Sequence, residues 1–485
     1  MRKNTALTVA LGLIAGVCPA ATTRAAEPSA PNILVIMADD LGYDDVGFQE
    51  QGKLREVTPN IDRLAEQGMR FTQGYACASV CGPSRAGFIT GMNQQRFGFQ
   101  ENFPPDWTNP PHMDWQRGAW TEFGIPPEVK TVGDYLQSAG YLTGVIGKWH
   151  LGYDEQYYPT ARGFDYFYGM RSGGRNYVST PDYNTTDKIP DKWRSIEENG
   201  VIVPESEITY LTENLTEQAV AFIDRAAKEH QPFFLFMSYT APHSPYQAKP
   251  EDLARIDALF PDISRKRATY LAMILNMDDG VGRILAELEK NRQTQNTLIV
   301  FLSDNGATSK GPGDNAPLTG HKWTPFEGGI RVPFVISWPG RIPAGTESDQ
   351  VISALDLLPT FLGLAGVERP EGLDGVDLWP CLSDPNTSLG ERALFWREQT
   401  SEGDALWGRV GDVKYIAASK WDEPRAYDLS GSATEDDATR LTELSGAESV
   451  KGAVEEWNEQ LPPPAWPVYN WRTGKKFSVE AAGAQ

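Results

Sequence analysis

Cys81, in the run Cys81-Gly82-Pro83-Ser84-Arg85, is the first side chain here that could do chemistry. Pro83 suits the first turn of a helix, and Ser84 to Thr90 can continue it to a stop at Gly91. Cys81 then stands at a helix N-terminus, where free N–H groups and the helix dipole favour an anion. Three readings stay open on these residues alone: a buried structural cysteine, a low-pKa thiolate nucleophile or a modified residue. The pairs Asp39-Asp40 and Asp304-Asn305 offer only oxygen donors. Such donors suit Ca2+ or another hard cation and do not suit Zn2+. Lys148 and His150 are two apart, so an extended segment puts both on one face. His243 and Lys322 add another imidazole and another ammonium. Each has an ordinary reading when taken singly: a solvated turn, a satisfied histidine, a surface lysine.

The segments that carry these residues share a layout. Asn32 to Met37 is an apolar run leading into Asp39-Asp40, and Tyr141 to Ile146 leads into Lys148 and His150. Phe233 to Met237 leads to His243, and Thr297 to Leu302 leads to Asp304-Asn305. Unbroken apolar runs are typical of strands buried on both faces of a parallel sheet. Ligands collect beyond the carboxyl ends of such strands, so the runs predict one shared site. Helical spacing fills the intervals at 60–67, 131–139, 212–229 and 267–290. The expected fold is α/β, a large mixed and mostly parallel sheet sandwiched by helices. From about Gly375 the texture shifts to shorter strands, 393–397 and 413–418, and a polar helix near 439–460. This predicts a catalytic domain over 27–375 and a C-terminal α+β subdomain with an antiparallel sheet over 376–485.

The run CGPSRAGFITG, starting at Cys81, resembles the type I sulfatase signature of the alkaline-phosphatase-like superfamily, in which the cysteine is converted to formylglycine. ADDLGYDD (38–45) and SDNG (303–306) resemble that family's metal segments. GKWHLG (147–152), APHSP (241–245) and HKWTPFEGGIRVP (321–333) resemble its sulfate-binding elements. The resemblance spans about residues 32–340. It implies Asp39, Asp40, Asp304, Asn305 and the modified Cys81 as ligands of Ca2+, with Cys81, Arg85, Lys148, His150, His243 and Lys322 catalytic. On that scheme a hydroxyl of hydrated residue 81 attacks sulfur, with Asp304 helping to remove its proton and Arg85 supporting the hydrate. His243, assisted by Lys322, protonates the leaving oxygen, and His150 takes the proton that lets sulfate depart. The rivals are a phosphomonoester or phosphonate ester hydrolase of the same superfamily, an idle sulfated-glycan-binding protein, and a cysteine-thiolate hydrolase.

NQQRFGF, containing Arg96, resembles sulfatases of galactose, N-acetylgalactosamine and algal polysaccharides, which implies a sulfated saccharide as substrate. Phe103, Trp107, His112, Trp115 and Trp120 could present flat surfaces to sugar rings or could pack their own loop. Arg171, Arg175 and Tyr177 could contact a sugar or a second sulfate, and His321, where the family commonly has glycine, could touch substrate. The formal charge of −21 excludes nucleic acid as a partner. Arg2 and Lys3, then the apolar 6–17 and small residues up to Ala26, read as a signal peptide over 1–26. The expected chain is exported, periplasmic or extracellular, without stable membrane insertion, and dependent on a formylglycine-generating maturation enzyme. With Cys18 removed, Cys77, Cys81 and Cys381 remain, and no disulfide framework follows.

Overall fold

The computed structural model describes residues 30–49, 54–103, 123–178 and 194–465. The predicted signal peptide and Trp107, His112, Trp115 and Trp120 lie outside these residues.

Asn32–Ala38 is buried along its whole length and forms parallel ladders with Phe233–Ser238 and Thr297–Ser303. Leu142–Lys148 lies parallel beside Phe233–Ser238, and Tyr166–Met170 parallel beside that. Beyond Thr297–Ser303 the sheet turns mixed: Phe334–Ser337 is antiparallel to it, and Gly68–Phe71 antiparallel to Phe334–Ser337. Short edge strands at both ends bring the sheet to ten. Strand alternation divides the core. Leu34 and Ile36 pack with Leu215, Phe222, Ile274 and Met277 of the helices Leu211–Glu229 and Arg265–Lys290. Ile33, Val35 and Met37 pack with Phe88, Ile89, Val132 and Phe361 on the opposite face. An apolar strand buried on both faces is what the unbroken runs demand.

The C-terminal antiparallel sheet joins Ala393–Thr400, Gly403–Val410, Val413–Ala418 and Arg425–Asp428 in chain order. Trp396 and Trp407 stack on one face at 5.9 Å, while Val450 and Val454 of the helix Glu448–Glu459 cover Tyr415 on the other. The break expected near Gly375 falls earlier than the change in packing. Leu378, Cys381 and Leu382 still belong to the core behind the large sheet, and the second sheet begins at Ala393. The sequence reading also missed Gly403–Val410, whose opening Gly-Asp looks like a turn, and began the last helix too early. Among the described residues no helix is long and apolar enough to cross a membrane. Cys77 and Cys381 are free and buried.

Candidate active site

The carboxyl ends of the parallel strands converge. The Asp39 amide donates to the Ala241 carbonyl at 3.1 Å, and the Asp304 amide to the Ala38 carbonyl at 3.0 Å. These bonds join the end of the first strand to the turns that carry His243 and Asp304. Lys148 is the last residue of its strand, and its Nζ donates to Asp39 Oδ2 at 2.7 Å. Lys322 Nζ donates to Asp40 Oδ1 at 2.6 Å and lies 2.8 Å from Cys81 Sγ. The same sulfur is 3.5 Å from Asp39 Oδ1. Arg85 lies one turn further along the helix Cys81–Thr90. It grips Asp304 Oδ2 through Nε at 2.9 Å and Nη2 at 2.8 Å, and Nη1 donates to the Ser238 hydroxyl and the Lys148 carbonyl. In this geometry Arg85 braces three strand ends.

Two expectations need correction. Lys148 and His150 do not share an extended face, because His150 has φ 60 and the chain turns after the strand. A backbone of that kind is uncommon outside glycine and gathers at functional sites. The helix N-terminus is also not an open anion cradle. The Gly82 amide donates to Asn102 Oδ1 at 2.8 Å, Pro83 has no N–H, and the Ser84 amide donates to the Val80 carbonyl. Charge on a substrate must therefore be met mainly by side chains.

Burial would raise the Asp39 carboxyl, but Lys148, His243, Arg85 and Lys322 outweigh it and hold the group well below the usual carboxylate range. Burial pushes the Cys81 thiol up despite Lys148 and Lys322, which removes the support for a resting thiolate. Burial, reinforced by Lys148 and Arg85, keeps His150 well below the normal imidazole range. It is therefore neutral and able to accept a proton. His243 is lowered by burial as well, against the pull of Asp39 and Asp40. Its Nδ1–H donates to the Ser244 carbonyl at 2.6 Å, which leaves Nε2 3.6 Å from Asp40 Oδ2.

Donor atoms of Asp39, Asp40, Cys81 and His243 lie within 4.8 Å of one another. Asn305 Nδ2 donates to Asp40 Oδ1 at 2.8 Å, while its Oδ1 is buried with no hydrogen-bond partner. A buried amide oxygen left unpaired is costly, and a hard cation beside the carboxylates would satisfy it. The residues present therefore fit an oxygen-seeking divalent ion.

The other candidates divide. Arg96 is bound to Asp374 at 2.9 Å and to the Gly372 carbonyl. Arg171 pairs with Glu197 at 2.9 Å, and Arg175 with Glu205 at 2.6 Å. Tyr177 is buried, with its hydroxyl 2.6 Å from the Thr240 carbonyl and 2.9 Å from that of His243, so it shapes the histidine turn. Between these residues the glycine loop passes close to the site. A β-carbon at Gly173 would meet the His150 ring at 2.8 Å, and one at Gly174 the His243 ring at 3.5 Å. Phe103 packs against Phe99, Tyr153 and His150, which is the loop-packing alternative. His321 lines a polar cleft of about 460 Å³ together with Thr308, Asp314 and Asn315. Sequence reasoning missed Asn102, Glu398 and Trp323. Only Trp323 carried a signal, its position directly after Lys322.

The chain matches the Sulfatase family over residues 31–367. It is 34% identical to N-acetylgalactosamine-6-sulfatase from Sus scrofa, over 82% of this chain and 74% of the relative. It is 31% identical to arylsulfatase G from Homo sapiens, over 88% of this chain and 81% of the relative. Among solved structures, Ps i-CgsB in complex with k-i-k-neocarrahexaose superposes with a TM-score of 0.81. It is 34% identical, over 90% of this chain and 94% of that one.

Proposed function

Since the chain belongs to the sulfatase family, a family of sulfuric ester hydrolases, we propose that it removes sulfate from a sulfated carbohydrate after Cys81 becomes formylglycine. Asp39, Asp40, Asp304 and Asn305 would hold a Ca2+ ion, with Mg2+ the second choice. The observation that carries this reading is the meeting of Lys322, Asp39 and Asp40 on one buried thiol, with Lys148 tied to Asp39. Cys81 Sγ stands in for the oxygen of the hydrated aldehyde. Such a hydrate would supply one hydroxyl to attack sulfur and a second whose deprotonation would let sulfate leave by elimination, and a bound cation would supply charge neutralisation at the sulfate oxygens.

The chain's own residues do the rest. Lys148 and Lys322 neutralise the sulfate oxygens in a closed site where each charge counts for more than in water. Arg85 holds Asp304 and the Lys148 strand end in place. His243 offers Nε2 toward the acids, and its protonated form would deliver a proton to the departing sugar oxygen. His150, kept neutral, would take the proton that releases sulfate. The curated relatives named for N-acetylgalactosamine 6-sulfate and the structural relative holding a neocarrahexaose support sulfated galactose-type sugars as the substrate class. The residue pattern of 1–26 supports an exported enzyme, and the CGPSR run at Cys81 supports maturation by a formylglycine-generating partner.

The test is a mass spectrum of the peptide containing residue 81, paired with sulfate release from defined sulfated oligosaccharides. The expected result is an aldehyde at 81 and turnover that Cys81→Ala abolishes. A fully retained thiol in active protein from its native host would overturn the scheme. Faster turnover of an aryl phosphate than of the matching aryl sulfate would favour the phosphoester reading.

A further inference from the structure

Among the described residues the exposed large apolar side chains are Val201, Ile202 and Trp323. The first two lie on a short edge strand. Trp323 is different. Trp149, Trp338, Trp396 and Trp407 are buried, whereas Trp323 is 38% exposed. Its backbone sits at φ 65, a conformation that a bulky side chain rarely adopts and that surrounding structure must enforce. The enforcement is visible. The Trp323 amide donates to the Ser79 carbonyl at 3.0 Å, and its carbonyl accepts the Ser401 amide at 2.6 Å. The residue is thus fastened between the segment leading to Cys81 and the first turn of the C-terminal sheet.

That fastening sets the indole beside the site. Lys322 Nζ is 4.8 Å from the ring centroid, and the same ammonium contacts both Asp40 Oδ1 and Cys81 Sγ. One part of the ring therefore meets the charge that would hold sulfate, and another part is left to solvent. Shielding Lys322 alone would not require the exposed part. A pyranose has an apolar C–H face as well as polar edges, and a flat rigid indole matches that face at little entropic cost. His321, directly before Lys322 in the chain, lines the polar cleft with Thr308, Asp314 and Asn315.

We propose that Trp323 is the platform on which a sugar ring of the substrate stacks while its sulfate reaches Lys322. This rests on the saccharide reading above and adds a specificity residue to it. The experiment compares matured wild-type protein with Trp323→Ala and Trp323→Phe. The probes are N-acetylgalactosamine 6-sulfate, a carrageenan-derived hexasaccharide, and inorganic sulfate, which has no ring. Trp323→Ala is expected to raise the saccharide KM about tenfold, while kcat and inhibition by inorganic sulfate stay within about twofold and Phe restores most of the loss. Unchanged saccharide affinity would overturn the proposal. So would an equal loss of inorganic sulfate affinity together with kcat, since the ring would then act only by holding Lys322. Hydrolysis of aryl sulfate with no saccharide bound or cleaved would sink the platform and leave the esterase activity standing. Trp323-dependent saccharide binding without sulfate release would do the reverse.

Discussion

Around residue 81 the formal charges balance. Asp39, Asp40 and Asp304 face Arg85, Lys148 and Lys322, linked pairwise at 2.6 to 2.9 Å. A neutral cluster of that kind offers an anionic ester no net attraction, and the Gly82 and Ser84 amides of the Cys81 helix are already in use. A divalent cation among the carboxylates would tip the balance toward an anion. The same ion would satisfy Asn305 Oδ1, so binding should stabilise the fold as well. At a free Ca2+ concentration one hundred times its dissociation constant the gain is about 2.7 kcal/mol. Thermal unfolding with Ca2+ and with a chelator checks this: Ca2+ should raise the midpoint, and Asp40→Asn should blunt the rise. Equal midpoints in Ca2+ and chelator for the wild type would count against a metal at these residues.

Among the elements, the C-terminal strand Ala393–Thr400 holds the segment before Cys81 directly. Both oxygens of Glu398 accept the Ser79 amide at 3.0 Å, and one also accepts its hydroxyl at 2.6 Å, two residues before Cys81. Burial lifts the Glu398 carboxyl from 4.5 to about 8, against those hydrogen bonds and with help from Glu101. Because the folded form then holds its proton more tightly than the unfolded chain, this group's contribution is complete below pH 4.5. It is lost as pH rises toward about 8. Glu398→Gln, which mimics the neutral acid, should flatten the fall in stability between pH 5 and pH 8, read as urea midpoints. An unchanged slope would refute the assignment. None of this was legible in the sequence, and the reason is physical. Apolar runs announce strands because burial on both faces acts within a run, so the strand ends and the residues beyond them could be placed. Polar pairing reaches across the chain: Glu398 finds Ser79, and Lys322 finds Asp40, more than 270 residues away. Arg171 and Arg175 looked free for substrate because nothing local marks Glu197 and Glu205 as their partners. The turn at His150 was hidden for the same reason, since its positive φ is imposed by packing and not by residue type.

For the whole molecule, the question is whether the two sheets form one folding unit. Glu327, at the start of the short helix after Lys322, is wholly buried and accepts Lys414 Nζ at 2.8 Å from the C-terminal sheet. Lys414 donates equally to Glu435 at 2.7 Å, and Tyr75 of the large domain donates to Glu327 at 2.5 Å. Arg392 closes a second link, gripping Asp356 at 2.8 Å. Lys414 thus joins two buried carboxylates drawn from both parts of the chain, and Arg331 also lies 3.7 Å from Glu327. Removing one partner of a buried ion pair strands the other charge, at a cost of about 3–5 kcal/mol. Lys414→Met should therefore lower stability by that amount in chemical denaturation, and the whole transition should move together. Loss of the C-terminal sheet in a separate early step, with the remaining midpoint unchanged, would mean that the parts fold independently. If they move together, the variant should also lose activity in step with unfolding. Trp323 and Ser79 are held from the C-terminal side by Ser401 and Glu398, so the smaller sheet is part of what keeps residue 81 in place.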